Sequence, residues 1–290
     1  FESLGYPTKK IESWRYTSVR PISSGTWGAA NQGQATYESP IKSSAQLVFV
    51  NGFLHSSNVS PELGESVTVS SFGEALEGGG QALAELLEHA SINGNEPFVA
   101  LNGSAFQDGA YIHVKPGVEL SLPIELVFIA TEEASFHPRV VTNADSNSRA
   151  TLIERFVSDL DGEASYLTNS VSQVHLGAGA HLEHIRIQNE SRGAYHISYT
   201  GVSQGRDSSY ISHAFSVGGK VGRSEIQVSF NEPGGTCALN GLYVPTAGQN
   251  HDNYTVIDHA KPHCTSSEYY KAVVSDNATG SFQGRVLIGE

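Results

Sequence analysis

Residues 174–187, VHLGAGAHLEHIRI, contain the pattern that decides the fold of this chain: an apolar strand, a turn of small residues and a second apolar strand. The same pattern recurs in residues 226–244, IQVSFNEPGGTCALNGLYV, and in residues 273–288, VVSDNATGSFQGRVLI. The turns are unevenly spaced, so the repeat is weak. Short strands that recur without a long helix favour a mainly β fold. We expect a β-solenoid, with a β-sandwich as the competing all-β fold.

The core of a solenoid consists of inward-pointing side chains that stack on their equivalents one turn away, at a spacing of about 4.8 Å. In the first repeat we expect the inward positions to be Val174, Leu176, Leu182, Ile185 and Ile187. Other apolar runs that follow residue 96 are also predicted to be strands: PFVAL, AYIHV, IELVFIA and RATLIERFV.

The sequence predicts two parts, a small N-terminal α/β region in residues 1–95 and the solenoid core in residues 96–290. Within the first part, residues 46–57 have the pattern of a β-hairpin. Two β-rich runs meet there at Asn51-Gly52, a dipeptide that suits a two-residue hairpin turn.

Residues 72–91 are predicted to hold one or two short helices, because their leucines fall at helical spacing and Ser71 and Glu74 have the form of a capping box. The preceding residues, 1–45, are polar and rich in turn-forming residues. We expect them to form a solvated arm that packs Trp14 against the body.

The composition excludes several classes of protein. A formal net charge of −13 argues against a nucleic-acid partner, because phosphate binding requires a basic face. Two cysteines are too few for a disulfide framework, and no apolar run approaches the roughly 20 residues of a membrane span. These features favour a cytoplasmic, reducing setting. The chain begins at Phe1 and contains no Met, so we expect it to be a fragment.

Residues 251–264 carry the densest set of reactive side chains: His251, His259, His263 and Cys264. In an extended strand, His259 and His263 lie on one face but roughly 13 Å apart, too far to share an ion. A metal site at His263 and Cys264 would therefore need ligands from adjacent turns or a second chain, with Cys237 as the other thiolate. The alternative is a buried or interfacial structural role. His263 and Cys264 are neighbours, so a strand would point them to opposite faces and they would not form a catalytic dyad.

Two motifs in this part of the chain carry a family resemblance: residues 258–271, DHAKPHCTSSEYYK, and residues 278–285, ATGSFQGR. They resemble the signature of the SufB/SufD iron-sulfur cluster assembly proteins. Residues 97–102, 231–234 and 239–243 are similar to the same core. Residues 5–17, GYPTKKIESWRYT, resemble the SufD branch of the family.

This resemblance implies a right-handed β-helix, that is, a single-stranded β-solenoid, flanked by helical regions. It also implies a scaffold subunit, not an enzyme, that works with a SufB-like subunit and a SufC-like ATPase. A transient iron-sulfur cluster would be shared with a partner subunit, and no resident cofactor is expected. The family continues beyond the equivalent of Glu290 with further β-helix and a helical region that docks SufC, which we expect to be absent here. Partners would pair through strand edges, and a homodimer is a further option.

Two other functions are compatible with a solenoid. A β-helical enzyme acting on polysaccharides should show an Asp-rich calcium cluster, or paired carboxylates beside a basic residue, on one exposed face. An adhesive solenoid should show a secretion signal and regular repeats. Neither set of features is evident in the sequence.

Overall fold

A computed structural model describes residues 1–88 and 96–289. Four α-helices occur in this part of the chain: α1 (Arg20–Ser24), α2 (Phe72–Glu77), α3 (Gln81–Glu88) and α4 (Pro97–Ala105). The strands, in chain order, are β1 (Ala45–Val50), β2 (Phe53–Val59), β3 (Val67–Ser71), β4 (Gly109–Val114), β5 (Ile124–Ala130), β6 (Ser135–Phe136), β7 (Arg139–Ala144), β8 (Arg149–Ser158), β9 (Leu167–Leu176), β10 (His181–Asn189), β11 (Tyr195–Gln204), β12 (Ser209–Ser216), β13 (Val221–Phe230), β14 (Thr236–Tyr243), β15 (Asn250–His259), β16 (Thr265–Ala272) and β17 (Thr279–Ile288).

The strands form two long sheets that face each other. One sheet has the order β16-β14-β12-β10-β8-β5-β1-β2, and the other has the order β17-β15-β13-β11-β9-β7-β4-β3. From β7 to β17 successive strands alternate between the sheets, and all pairs along the sheets are parallel except β1 with β2 and β3 with β4. The chain therefore winds through about six turns of a β-solenoid, which confirms the predicted fold class.

The turns at one corner stack on one another as regularly as the strands do. The backbone N–H of Asn147 donates to the carbonyl oxygen of Ala178 at 2.8 Å, and that of Gly179 donates to Arg206 at 2.7 Å. Asn147 and Gly179 both have positive φ, 58° and 69°, a conformation that favours glycine and asparagine. Because the small-residue turns continue the ladder, they hold successive strands in register.

The prediction of inward positions is confirmed for Val174, Leu176 and Leu182, which are buried in the main apolar core. It is wrong for Ile185 and Ile187. Both are partly exposed on the outer face, because side chains alternate along β10 and Leu182 fixes its inward set. His184, Arg186 and Gln188 therefore point into the solenoid.

The hairpin prediction is confirmed, since β1 and β2 pair antiparallel around Asn51-Gly52. The helix prediction is confirmed by α2 and α3, and both hydrogen bonds of the Ser71–Glu74 capping box are present. The predicted positions 89–91 lie outside the described residues. β1 extends the solenoid by pairing parallel to β5. The division at residue 95 stays a prediction.

The predicted strand PFVAL is wrong, because these residues begin α4. Pro97 occupies the first turn of the helix, where its missing N–H costs nothing. The helix buries Phe98 and Val99 against the sheet, and Asn102 donates to the carbonyl oxygens of Pro138 and Asn169 at 2.9 and 2.8 Å. A short apolar run does not by itself distinguish a strand from a buried helix.

The N-terminal residues pack against the outside of the solenoid, as predicted for Trp14. Its indole is 3 % exposed and stacks on Phe98 with ring centroids 5.2 Å apart. Val19 and Ile22 are buried in the same cluster. None of the described helices is long and apolar enough to cross a lipid bilayer.

Candidate functional site

The last two strands of the solenoid are each paired along one edge. β16 lies beside β14 at the end of one sheet, and β17 lies beside β15 at the end of the other. Among the described residues, no strand covers their outer edges. These strands also expose apolar side chains, with Tyr269 60 % and Ile288 80 % exposed. An unpaired edge with apolar side chains can bind another chain by continuing the sheet.

The turn between β15 and β16 carries the two predicted metal ligands. His263 is exposed and has a φ of 62°, so the backbone reverses sharply at this residue. The Sγ of the half-buried Cys264 lies 3.6 Å from the carbonyl oxygens of Glu232 and Pro262. Nearby, Nε2 of His259 lies 2.8 Å from the hydroxyl of Ser266. His263 and Cys264 thus occupy a solvent-facing turn beside the edge strands.

A pocket of about 510 Å³ adjoins this turn. His259, His263 and Cys264 line one part of it, and Val286 and Ile288 of β17 line another. Across the described residues, no three His, Cys, Asp or Glu side chains are grouped closely enough to hold a metal ion. This part of the chain therefore supplies His263 and Cys264 without a third protein ligand.

The other two candidate ligands are buried and do not line this pocket. Cys237 is buried inside the solenoid, where burial and the nearby charge of Glu268 raise the pKa of its thiol and disfavour the thiolate. His251 is also buried, at the opposite end of β15 from His259. His251 is not near the turn that carries His263, whereas Cys237 pairs with Ser266 just after that turn but has its side chain buried in the core.

The interior contains a buried ionic group that the sequence analysis did not find. Nε2 of His184 lies 3.1 Å from Oε1 of Glu154, and Nε of Arg186 donates to Oε2 of Glu154 at 3.3 Å. Ser172, on the opposite sheet, donates to Glu154 at 2.7 Å. The hydroxyl of Tyr210 lies 2.9 Å from Nδ1 of His184. These contacts join the two sheets across the interior.

Glu154 is ionised in this setting. Burial acts to raise the pKa of its carboxyl, but the charge interaction and hydrogen bond with His184, together with Arg186 and Ser172, outweigh burial and hold the pKa at about 2. In residues 181–188, HLEHIRIQ, polar and apolar residues alternate from His184 onward. This alternation is the one feature of the sequence that indicates polar side chains inside the solenoid at this level. It was missed because the apolar residues of that stretch were assigned to the core.

A second buried carboxylate lies closer to one corner of the solenoid. Oε2 of Glu190 is 2.7 Å from Nδ1 of His196 and accepts a hydrogen bond from Gln188 at 3.0 Å. Thr168 donates to Oε1 at 2.6 Å. Burial acts to raise the pKa of Glu190, but His196 and these hydrogen bonds lower it overall. All polar contacts of this group are internal, so it suits a structural role better than substrate binding.

A third ionic group lies on the outer face of β13 and β15. Arg223 donates to Asp252 at 2.5 Å and to Glu225 at 3.0 Å. Two carboxylates beside a base are the grouping expected of a polysaccharide-acting enzyme. Here, however, Trp14 and Thr17 cover the group and its side chains are buried. A polysaccharide would not reach it in this conformation.

Comparison with known proteins agrees with these features. Residues 127–290 match the family model described as "SUF system FeS cluster assembly, SufBD core domain", and residues 1–126 match the "SufBD protein N-terminal region". The chain belongs to the SufBD family. The family resemblance inferred from the motifs of residues 258–271 and 278–285 is thereby confirmed.

Two curated relatives of this SufBD protein align over 99 % of its length. The iron-sulfur cluster assembly protein SufD of Escherichia coli is 28 % identical, and the chain covers 67 % of it. An iron-sulfur cluster assembly SufBD family protein of Synechocystis sp. is 27 % identical, and the chain covers 66 % of it. The chain thus spans about two thirds of the length of these relatives.

Proposed function

We propose that this SufBD protein is a scaffold subunit of an iron-sulfur cluster assembly complex and pairs with a SufB-like subunit through the exposed apolar side chains of β16 and β17. The observation that carries the proposal is the match of residues 1–126 and 127–290 to the two SufBD family models. Pairing at β16 and β17 would cover Tyr269, Val286 and Ile288. A second copy of the chain is the alternative partner for the same side chains.

We further propose that His263 and Cys264 contribute ligands to a nascent cluster that the partner completes. Imidazole nitrogen and thiolate sulfur are suitable ligands for iron, and both side chains lie at a solvent-facing turn. The two residues supply part of a ligand set, so a cluster would lie at the interface between subunits. The cluster is the cargo of the complex in this proposal, not a resident cofactor.

The remaining assignments follow from the same proposal. The protein acts by binding and positioning and catalyses no reaction of its own. A SufC-like ATPase supplies ATP hydrolysis to the complex, and the complex works in the cytoplasm. The division into an N-terminal region, residues 1–95, and a solenoid core, residues 96–290, is part of this proposal.

The proposal is tested by anaerobic co-purification. The protein is mixed with the SufB-like and SufC-like proteins of the same source, and the eluate is analysed for subunits, iron and sulfide. We expect the SufB-like subunit to elute with it. If the protein binds neither partner while all three are folded, the scaffold proposal is wrong.

Two substitutions locate the interface. Val286→Asp places a charge on the edge strand and should weaken partner binding at least tenfold, whereas Ile211→Asp, on the outer face of β12, should not. Both side chains are exposed, so neither change should unfold the chain. Replacing His263 and Cys264 together by alanine should lower iron and sulfide in the complex without affecting co-elution. Unchanged iron would contradict their role as ligands.

A further inference from the structure

The N-terminal arm, residues 1–27, contacts the solenoid through the apolar cluster around Trp14 and through one charged patch. The Trp14 ring lies between the Phe98 ring and the guanidinium of Arg223, whose Cζ is 4.0 Å from the ring centroid. Thr17 donates its hydroxyl to Oδ2 of Asp252 at 2.5 Å. The amide of Asn250 donates to the carbonyl oxygen of Tyr16 at 3.4 Å. The polar contacts of the arm in this patch are therefore with Arg223, Asp252 and Asn250.

The patch beneath the arm has more negative than positive groups. Arg223 is completely buried and donates to both Asp252 and Glu225. Ser281 of β17 donates to the other oxygen of Asp252 at 2.6 Å. Glu96, just before α4, is a third carboxylate whose charge acts on Glu225 and Arg223. One guanidinium thus faces three carboxylates, which repel one another where solvent does not screen them.

This excess of carboxylates affects Glu225 most directly. Burial, together with the charges of Glu96 and Asp252, raises its pKa to about 7 against the opposing effect of Arg223. Burial also raises the pKa of Glu96. The other titratable groups that face Glu225 are Tyr199 and Tyr254 on the neighbouring strands, and Arg285 interacts with Tyr254.

We propose that the arm is a proton-dependent latch. It stays closed over Arg223 while one of the three carboxyl groups beneath it is protonated, and loss of that proton favours release of the arm. Glu225 is the group that holds the proton. Once it is ionised, the three carboxylates carry more charge than Arg223 balances. Exposure to water lowers that repulsion, and the arm is the cover that must move. Release uncovers Arg223, Asp252 and Tyr254 on the outer face of β13 and β15.

The direction of the pH effect follows from proton linkage. Glu225 binds its proton more tightly in the closed state than in the open state, where solvent returns its pKa toward the ordinary value near 4.5. The ratio of open to closed arm should therefore rise as pH increases, by up to about tenfold per unit between roughly pH 5 and 7. Above about pH 7.5 the ratio should become constant.

Both tryptophans of the chain, Trp14 and Trp27, lie in the arm, so intrinsic fluorescence reports on its position. Trp14 leaves a buried site when the latch opens, and its emission should shift to longer wavelength. Three trypsin sites also lie in the arm, at Lys9, Lys10 and Arg15. Emission and tryptic cleavage of the arm are measured from pH 5 to pH 8, with far-UV circular dichroism to confirm that the solenoid stays folded.

Glu225→Gln is the decisive variant, because glutamine imitates the protonated carboxyl and removes the titration. Its arm should stay closed to pH 8, with cleavage several-fold slower than in the wild type at that pH and equal to it at pH 5. Glu65→Gln, an exposed carboxyl outside the patch, is the matched control and should behave as the wild type. Comparing variants at each pH cancels the pH dependence of trypsin itself.

Glu96→Gln gives a second, independent measurement. It removes one of the repelling charges and leaves Glu225 able to titrate. The pH-dependent change in emission and cleavage should therefore move to lower pH and become smaller. If the wild type shows no transition, or if Glu225→Gln retains it, the latch is wrong. If Glu225→Gln does not fold, an unchanged transition in Glu96→Gln would overturn the proposal equally.

Discussion

One inward-facing column of the solenoid changes from apolar to ionic between two neighbouring turns. Leu126 on β5 is paired in register with Glu154 on β8, which is paired with Arg186 on β10. All three side chains are buried. Leu126 packs among apolar neighbours in the main core, whereas Glu154 is surrounded by His184, Arg186 and Ser172. Equivalent inward positions in neighbouring turns thus carry an apolar side chain in one turn and charged side chains in the next.

The comparison separates two sources of stability in a solenoid. The strands are paired in parallel in both turns, so the backbone hydrogen bonds define the shape of the solenoid whichever side chains fill its interior. The apolar turn gains stability from area removed from water. The ionic turn must first desolvate its charges, and its contacts mainly offset that cost. Removing one side chain should therefore destabilise the ionic turn more than the apolar turn.

The largest effect is expected for Glu154→Ala. The change leaves Arg186 without its carboxylate in a buried site, and it also removes the acceptor for Ser172. We expect a loss of about 3–5 kcal/mol in the free energy of unfolding, measured by urea denaturation.

A triple replacement sharpens the same point. Glu154→Leu, His184→Leu and Arg186→Met together leave no buried charge in this group, so their combined cost should be smaller than that of Glu154→Ala. If the triple variant is less stable than the single one, the ionic contacts stabilise the fold outright, and the contrast drawn between the two turns is wrong.

Leu126→Ala tests the apolar side of the comparison. The side chain is fully buried between β1 and β8, so its removal leaves a cavity in addition to lost apolar burial. We expect a loss of about 2–5 kcal/mol in the free energy of unfolding. Ile185→Ala, on the partly exposed outer face, is the control and should cost clearly less. Equal losses would show that the inner and outer faces were assigned incorrectly.

Much of the fold could be predicted from the sequence, because its signals are local. The Asn51-Gly52 hairpin, the Ser71–Glu74 capping box and the small-residue turns each depend on residues that lie next to one another in the chain. The repeat then indicated a solenoid. The family motifs gave the same fold independently, through residues 258–271.

The inner and outer faces of β10 could not be distinguished from its sequence. Apolar and polar residues alternate there, and a period of two does not say which set points inward. The usual assumption that isoleucine is inside failed at Ile185 and Ile187, because the interior at this level contains charges. Glu154 and Arg186 are 32 residues apart, so only the register of the turns brings them together. His263 and Cys264 stay predicted ligands, since a set completed by another subunit is not visible in one chain.

Acid should destabilise the ionic turn selectively. The pKa of Glu154 is near 2 in the folded chain and near 4.5 when unfolded, so its contribution is complete above about pH 5 and is lost as pH falls toward 2. The expected loss from this group is about 2 kcal/mol at pH 3. Stability is measured by urea denaturation at pH 6 and pH 3 in the wild type and in the triple variant. The triple variant should lose less, and an equal loss would assign the acid sensitivity to other carboxylates, such as Glu190.

The smallest loss of stability is expected for Tyr210→Phe, because Tyr210 is an uncharged residue at the edge of the ionic group. This change deletes only the hydroxyl that lies 2.9 Å from Nδ1 of His184 and keeps the buried ring in place. Because His184 keeps its contact with Glu154, we expect a loss of only about 1 kcal/mol in the free energy of unfolding. Repeating the substitution in the triple variant, where His184 is leucine, should remove that loss, since the hydroxyl then has no imidazole to bind. A loss of the same size in both backgrounds would mean that Tyr210 acts through other neighbours, and the ionic group would end at His184.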